Sequence, residues 1–192
     1  MIREGTKHWD GTQALDYLRD DGGRADAGFR GKAGDCVARS VAIASGLPYA
    51  YIYKAFADGT GSQRATKRGK RAASARSGIN VRRKWFRDCM HKRGFEWVPT
   101  MRVGEGCKVH LLRGELPMGR LLVAVSKHYT AVIDGVIRDT HDPSERGATI
   151  YTIRAGEEPK PGWRFLQCQP NGQRQYAYKP ERCVYGYWKF SL

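Results

Sequence analysis

The chain has 192 residues, of which 41% are hydrophobic and 28% charged, enough for one ordinary domain with a real core and the wrong composition for a collagen-like, membrane-spanning or wholly disordered protein. The net charge is +15, and it is concentrated: residues 61–94 hold twelve Lys and Arg against the single Asp88. The pattern is a nearly balanced domain interrupted by a basic segment, and such a segment attracts polyanions through its long-range field and counterion release.

In chain order, ALDYLRDDGG reads as a short helix closed by paired glycines, followed by a loop rich in Ala, Gly and Arg. Gly34-Asp35-Cys36 then leads into VARSVAIAS and Gly46, a run of good helix formers with Asp35 as N-cap and Gly46 as stop. Pro48 opens a second helix, PYAYIYKAFA, with Tyr49, Ile52, Tyr53 and Phe56 on one face and Asp58-Gly59 as its end. From Gly59 to Gly78 no apolar period survives, which predicts a long exposed loop. Between Asn80 and Lys92 the residues Val81, Trp85, Phe86, Cys89 and Met90 follow helical spacing, with cations on the other face. The segments FEWVP, LLVAVS, YTAVI, VIRDT, ATIYTI, WRFL and VYGYWKF are short, β-branched and aromatic, and predict strands. Helices first and strands later predict an α+β fold in a single domain over residues 1–192, with the basic loop and amphipathic helix of residues 59–94 inserted into it. Trp163, Trp188, Tyr176, Tyr178, Tyr185 and Tyr187 read as core and edge aromatics of the sheet.

Five cysteines, Cys36, Cys89, Cys107, Cys168 and Cys183, are odd in number and widely spread, and MIREGTKHWDGTQ has no apolar leader region. Reduced thiols in a cytoplasmic, non-secreted protein are the expectation. Cys107-x-x-His110 is half of a zinc spacing that no CxxC or HxxxH completes, so neither a metal nor a cofactor is expected.

Cys36 is the residue that points to chemistry. A thiol becomes nucleophilic as a thiolate, and the start of a helix favours that anion through unpaired N–H groups. A base comes from SKHYTAVIDGVIRDTHD, where Asp134-Gly135 is a strong two-residue hairpin turn. The turn sets the register, pairing Val132 with Ile137, Thr130 with Asp139 and His128 with His141, so that all six share one face. Asp139 is then a diagonal neighbour of His128 and can orient its imidazole, while His141 is the competing ring. A helix-borne Cys followed by a strand-borne His and then an Asp is the chain order of a papain-like thiol site. The Cys36 N–H can supply one oxyanion donor, and the second is open between the side chains of Gln13 and Asn80 and a main-chain amide, with Asp35 as a further orienting group.

The runs GDCVARSVAIASGLPYAYIYKAF, WVPTMRVGEGCKVHL and ELPMGRLLVAVSKHYTAVIDGVIRDTHDP resemble a group of small papain-like proteins encoded by tailed bacteriophages and prophages. The resemblance implies a papain-like α+β fold, with Cys36 as nucleophile, His128 as base and Asp139 as third member. The resemblance brings no settled substrate; a protein or peptide substrate and action in a host cytoplasm are the expectations. Better-known papain-like proteases carry a Gln six residues before the nucleophile and a Trp directly after it, where this chain has Arg30 and Val37.

Arg64, Lys67, Arg68, Lys70, Arg71, Arg76, Arg82, Arg83, Lys84 and Arg87 form the candidate polyanion contact. They carry no finger, zipper or RNA-binding signature, which leaves electrostatic docking without base readout, and no membrane is implicated. Two function classes follow: a cysteine hydrolase or acyl transferase, and an inert scaffold of the same fold that grips nucleic acid or an acidic host protein through its basic segment.

Overall fold

The computed structural model describes residues 1–7, 12–63, 73–102, 104–144, 149–154, 156–159, 164–178 and 182–191. In chain order the elements are β1 (Asp16–Arg19), α1 (Cys36–Ser45), α2 (Tyr49–Gly61), α3 (Lys84–His91), β2 (Phe95–Pro99), β3 (Arg120–Val125), β4 (His128–Ile133), β5 (Val136–Asp139), β6 (Thr149–Ile153), β7 (Arg164–Cys168), β8 (Arg174–Tyr178) and β9 (Val184–Phe190). The fold is mixed α/β. A six-stranded sheet runs β1-β5-β4-β3-β9-β2, and a small sheet runs β6-β8-β7. No helix among the described residues is long and apolar enough to cross a membrane.

Both faces of the large sheet are buried, by different means. On one face α1, α2 and α3 pack Val41, Ile52, Phe56, Phe86 and Met90 against Leu122, Ala131 and Trp188. The other face, built from Leu121, Val123, Val132, Ile137 and Val184, is covered by chain without helices, through Leu15, Leu111 and Leu116. The alternation of buried residues along β3 and β4 serves both cores at once, which is why their sequences read as continuous apolar runs.

Helix α1 ends at Gly46, which adopts φ 72° and returns its N–H to the Ala42 carbonyl at 2.8 Å. The Arg120 guanidinium donates to the carbonyls of Ala44 and Ile43 at 2.6 and 2.9 Å, a cation on the negative end of the helix. Helix α2 continues past Asp58-Gly59 to Gly61, against the expected stop. Gly59 is there a seat for an indole: a Cβ at that position would lie 2.4 Å from Cε3 of Trp85. Helix α3 is shorter than the amphipathic run predicts, because Val81 and Arg82 belong to the turn before it.

Three other expectations are corrected. ALDYLRDDGG is strand and turn, not helix: β1 pairs in parallel with β5, setting Tyr17 against Ile137 and Arg19 against Asp139. An open sheet edge supplies main-chain partners that outweigh a weak local helical preference, and the large sheet is accordingly not purely antiparallel. The five thiols are not all free, since Cys107 and Cys183 form a disulfide with a Cα–Cα separation of 5.9 Å. The isolated bridge between His110 and Cys183 brings the two segments together, so the half-zinc spacing is spent on a crosslink and His110 turns to Glu115 at 3.3 Å. Cys36, Cys89 and Cys168 are free. Third, β8 is not among the strand segments predicted from the sequence, although Tyr176 and Tyr178 read as sheet aromatics; it pairs with β6 and β7 on either side, and Tyr176 is buried.

Candidate active site

Cys36 is the first residue of α1 and, partly buried, lines an open cleft of about 730 Å³. Asp35 does not cap the helix. Its carboxylate turns inward, where it is buried against Arg24 Nε at 2.8 Å, Arg39 Nε at 3.1 Å and the Tyr49 hydroxyl, which donates at 2.5 Å. The consequence is a helix start whose first-turn amides take no bond from the Asp35 side chain.

The hairpin supplies the other two groups. Asp134 and Gly135 take φ values of 47° and 78°, the two positive angles that a tight Asp-Gly turn needs. Val132 therefore faces Ile137, and Ile133 faces Val136. His128 at the start of β4 and Asp139 at the end of β5 meet across the ribbon, with Nε2 and Oδ2 at 2.7 Å. The His128 ring and the Tyr129 main chain face the Cys36 thiol closely enough to lower its pKa by hydrogen bonding. Since Nε2 is engaged by Asp139, Nδ1 is the nitrogen left for sulfur. Ser40 on α1 donates to the Tyr129 carbonyl at 3.0 Å, which fixes the helix against the strand that carries the ring.

Asp139 is 3% exposed and is held from behind. The Thr140 N–H donates to Oδ1 at 2.7 Å, the Tyr17 hydroxyl donates to its carbonyl at 3.0 Å, and the Asp20 N–H donates to the same carbonyl at 2.9 Å. The buried Thr130 hydroxyl lies beside the carboxylate and lowers its pKa, although not in good hydrogen-bond geometry. Arg39 on α1 donates to the Thr140 hydroxyl at 2.6 Å. The contacts thus run in a circuit from Cys36 through His128, Asp139, Thr140 and Arg39 to Asp35, the residue before the thiol.

The electrostatics follow from this packing. Burial pushes the Cys36 thiol up, but His128, by hydrogen bond and charge, the Tyr129 N–H and the Arg39 charge outweigh it and hold the thiol below its ordinary value. Burial pulls His128 down, yet the bonds and charges of Asp139 and Cys36 raise it to about 9. Burial raises Asp139, and the His128 bond and charge with the Thr140 N–H bring it below the usual carboxylate range. A depressed thiol beside an elevated imidazole shifts the pair toward thiolate and imidazolium. By contrast, burial raises the Cys89 thiol.

His141 packs against His128 with ring centroids 4.8 Å apart. Ligand atoms of His128, Asp139 and His141 lie within 4.8 Å of one another. A metal bound there would compete with Asp139 for the Nε2 that Asp139 already engages, so the arrangement serves the thiol better than it serves an ion.

Gln13 and Asn80 are placed away from the thiol. The Gln13 amide donates to Glu4 and to the Gly5 carbonyl, each at 3.0 Å, and Asn80 accepts the Arg82 N–H in the turn before α3. Neither lines the cleft. Of the basic residues, Arg64, Lys67, Arg68, Lys70 and Arg71 lie outside the described residues. Arg76 donates to the Lys32 carbonyl at 3.2 Å, Arg83 is exposed at the start of α3, and Lys84 pairs with Asp88 at 2.7 Å. Arg82 and Arg87 line the thiol cleft, together with Lys127, Trp97, Tyr185 and Trp188. Sequence reading assigned the basic segment to docking and did not connect it with the cysteine. Nothing in the sequence signalled that link, since α3 leads into β2, which forms the edge of the large sheet away from the β4–β5 hairpin. Comparison with family models, curated proteins and solved structures finds no match.

Proposed function

We propose that the protein is a papain-like cysteine hydrolase acting on an amide, peptide, isopeptide or thioester bond. The observation that supports it best is the buried relay of Cys36, His128 and Asp139 opening into a cleft of about 730 Å³. The Cys36 thiolate attacks the substrate carbonyl carbon, and the carbonyl π electrons move to oxygen. Main-chain amides at the start of α1 receive that oxyanion, because no Asn or Gln side chain lines the cleft among the described residues. The protonated His128 gives its proton to the leaving amine or thiolate as the bond breaks, leaving a thioester on Cys36. Neutral His128 then takes a proton from water, whose oxygen attacks the thioester, and the acid departs as the thiol re-forms. An amine in place of water makes the same site a transferase. Asp139 keeps the ring in the tautomer that presents Nδ1 to sulfur.

The test is alkylation of the intact protein with iodoacetamide at pH 7, followed by peptide mapping. Cys36 is expected to react well ahead of exposed Cys168 and of Cys89, although it is the more buried of the first two. Labelling of Cys36 no faster than Cys168 would remove the enzyme and leave the inert binding scaffold.

A further inference from the structure

The cleft that contains the thiol is asymmetric in charge. Arg82 enters it from the turn before α3, Arg87 from α3 itself and Lys127 from the turn between β3 and β4. No Asp or Glu lines it among the described residues. Among the described residues some exposed cations are paired, such as Lys84, on the same helix as Arg87, with Asp88 at 2.7 Å, while others such as Lys32 and Lys189 are not; what sets the cleft apart is that its cations share one concave space with no carboxylate in its lining. Among the described residues the side chains of Arg82, Arg87 and Lys127 enter no ion pair. Lys127 also holds φ at 57°, a left-handed conformation that favours Gly or Asn. A lysine is carried there, next to His128, against that backbone preference.

We infer that the substrate is an acidic peptide, and that Arg82, Arg87 and Lys127 receive its carboxylates beside the bond that Cys36 attacks. The inference rests on the hydrolase reading above and gives it a substrate class. Three cations from separate elements converge on one concave space, which concentrates field and selects the partner's charge. Trp97 and Tyr185, each about two-fifths exposed at 38% and 42%, add apolar surface on which a peptide chain can lie. A polyanion without an acyl carbon, such as nucleic acid, would satisfy the charges and leave the thiol without a reaction.

The experiment uses the full chain with Cys36→Ala for binding and the unaltered protein for cleavage. Two fluorescein-labelled octapeptide pools, one containing two fixed Glu and the other two fixed Gln, are compared by anisotropy, with a single-stranded DNA octamer as rival. The Glu pool is expected to bind about tenfold tighter than the Gln pool, with a preference that shrinks as salt is added. Adding Arg82→Gln, Arg87→Gln and Lys127→Gln together should erase the preference. Removing equal charge elsewhere, by Lys54→Gln, Lys108→Gln and Lys189→Gln, should keep it. All six positions are exposed, and matching thermal midpoints confirm that each variant folds. Equal affinity for the two pools, a preference that survives the cleft variant, or DNA binding tighter than the Glu pool and lost in that variant would each overturn the inference. Failure of the hydrolase reading is separately visible: the unaltered protein would cleave neither pool and Cys36 would alkylate no faster than Cys168, whatever the binding preference.

Discussion

The two sides of the thiol cleft are built on opposite principles. On the side of α1, β4 and β5, the key polar groups are tied to neighbours within the fold, in the circuit from Cys36 through Asp139 and Arg39 back to Asp35. On the side of α3, β2 and β9, Arg82 and Arg87 are exposed, and the rings of Trp97 and Tyr185 face outward. Bond-making demands groups held within fractions of an ångström before the substrate arrives, and buried reciprocal hydrogen bonds achieve that. Recognition of a variable chain tolerates mobile side chains that gain partners only on binding. Substitutions on the first side should therefore act on kcat, and those on the second on KM.

Asp139→Asn should have the largest effect. The asparagine keeps the shape but cannot supply the charge that raises His128 to about 9. In the unaltered protein the active ion pair persists from the depressed Cys36 pKa up to that value, so turnover should rise with pH through the first and fall above the second. Losing the Asp139 charge lowers the His128 pKa, and the alkaline limb should move to lower pH while kcat drops by about 10² to 10⁴. Unchanged kcat and an unmoved alkaline limb would show that the 2.7 Å contact is structural only.

Arg39→Met should cost less and in a different signature. Arg39 bonds no reacting atom; it holds Thr140, which holds Asp139, and its charge helps depress Cys36. Asp35 keeps Arg24 and Tyr49 after the change. We expect kcat to fall about tenfold with KM unchanged, since a misplaced orienting group raises the barrier without touching the substrate. The acid limb should shift to higher pH because a cation near the thiolate is gone. Arg39→Lys should restore the acid limb and only part of kcat. An acid limb that stays in place in Arg39→Met would refute this positioning role.

This difference between the two sides also governs what could be read from the sequence. The pairing of His128 with Asp139 is a short-range consequence of a two-residue Asp-Gly turn and the period of a strand, and both are visible in eighteen letters or fewer. The position of Cys36 at a helix start is equally local. The proposed recognition side draws on Arg82, Trp97, Lys127 and Tyr185, whose approach depends on how α3, β2, β3 and β9 are ordered in space. No periodicity encodes that order. The same limit explains β1, which is a strand only because β5 offers it an edge, and the Cys107–Cys183 crosslink, which joins segments separated by 76 residues. It explains Asp35 as well: a residue type that caps helices locally is drawn inward by Arg24 and Tyr49, whose proximity is tertiary.

Trp97→Ala should give the smallest effect and the sharpest contrast. Trp97 pairs with Trp188 across β2 and β9, with ring centroids 5.3 Å apart, and its ring leans over Gly186, where a Cβ would lie 2.3 Å from Cζ2. The glycine therefore makes room for an indole that is still 38% exposed, an arrangement that core packing alone does not require. Truncation removes apolar surface from the cleft while Phe95, two residues away and fully buried, continues to anchor the strand. With a peptide from the acidic pool as substrate, KM is expected to rise about three- to tenfold at unchanged kcat, the signature of binding shared equally by ground state and transition state. Should kcat fall as far as KM rises, the indole would be supporting the thiol side as well, and the division of labour between the two sides would fail.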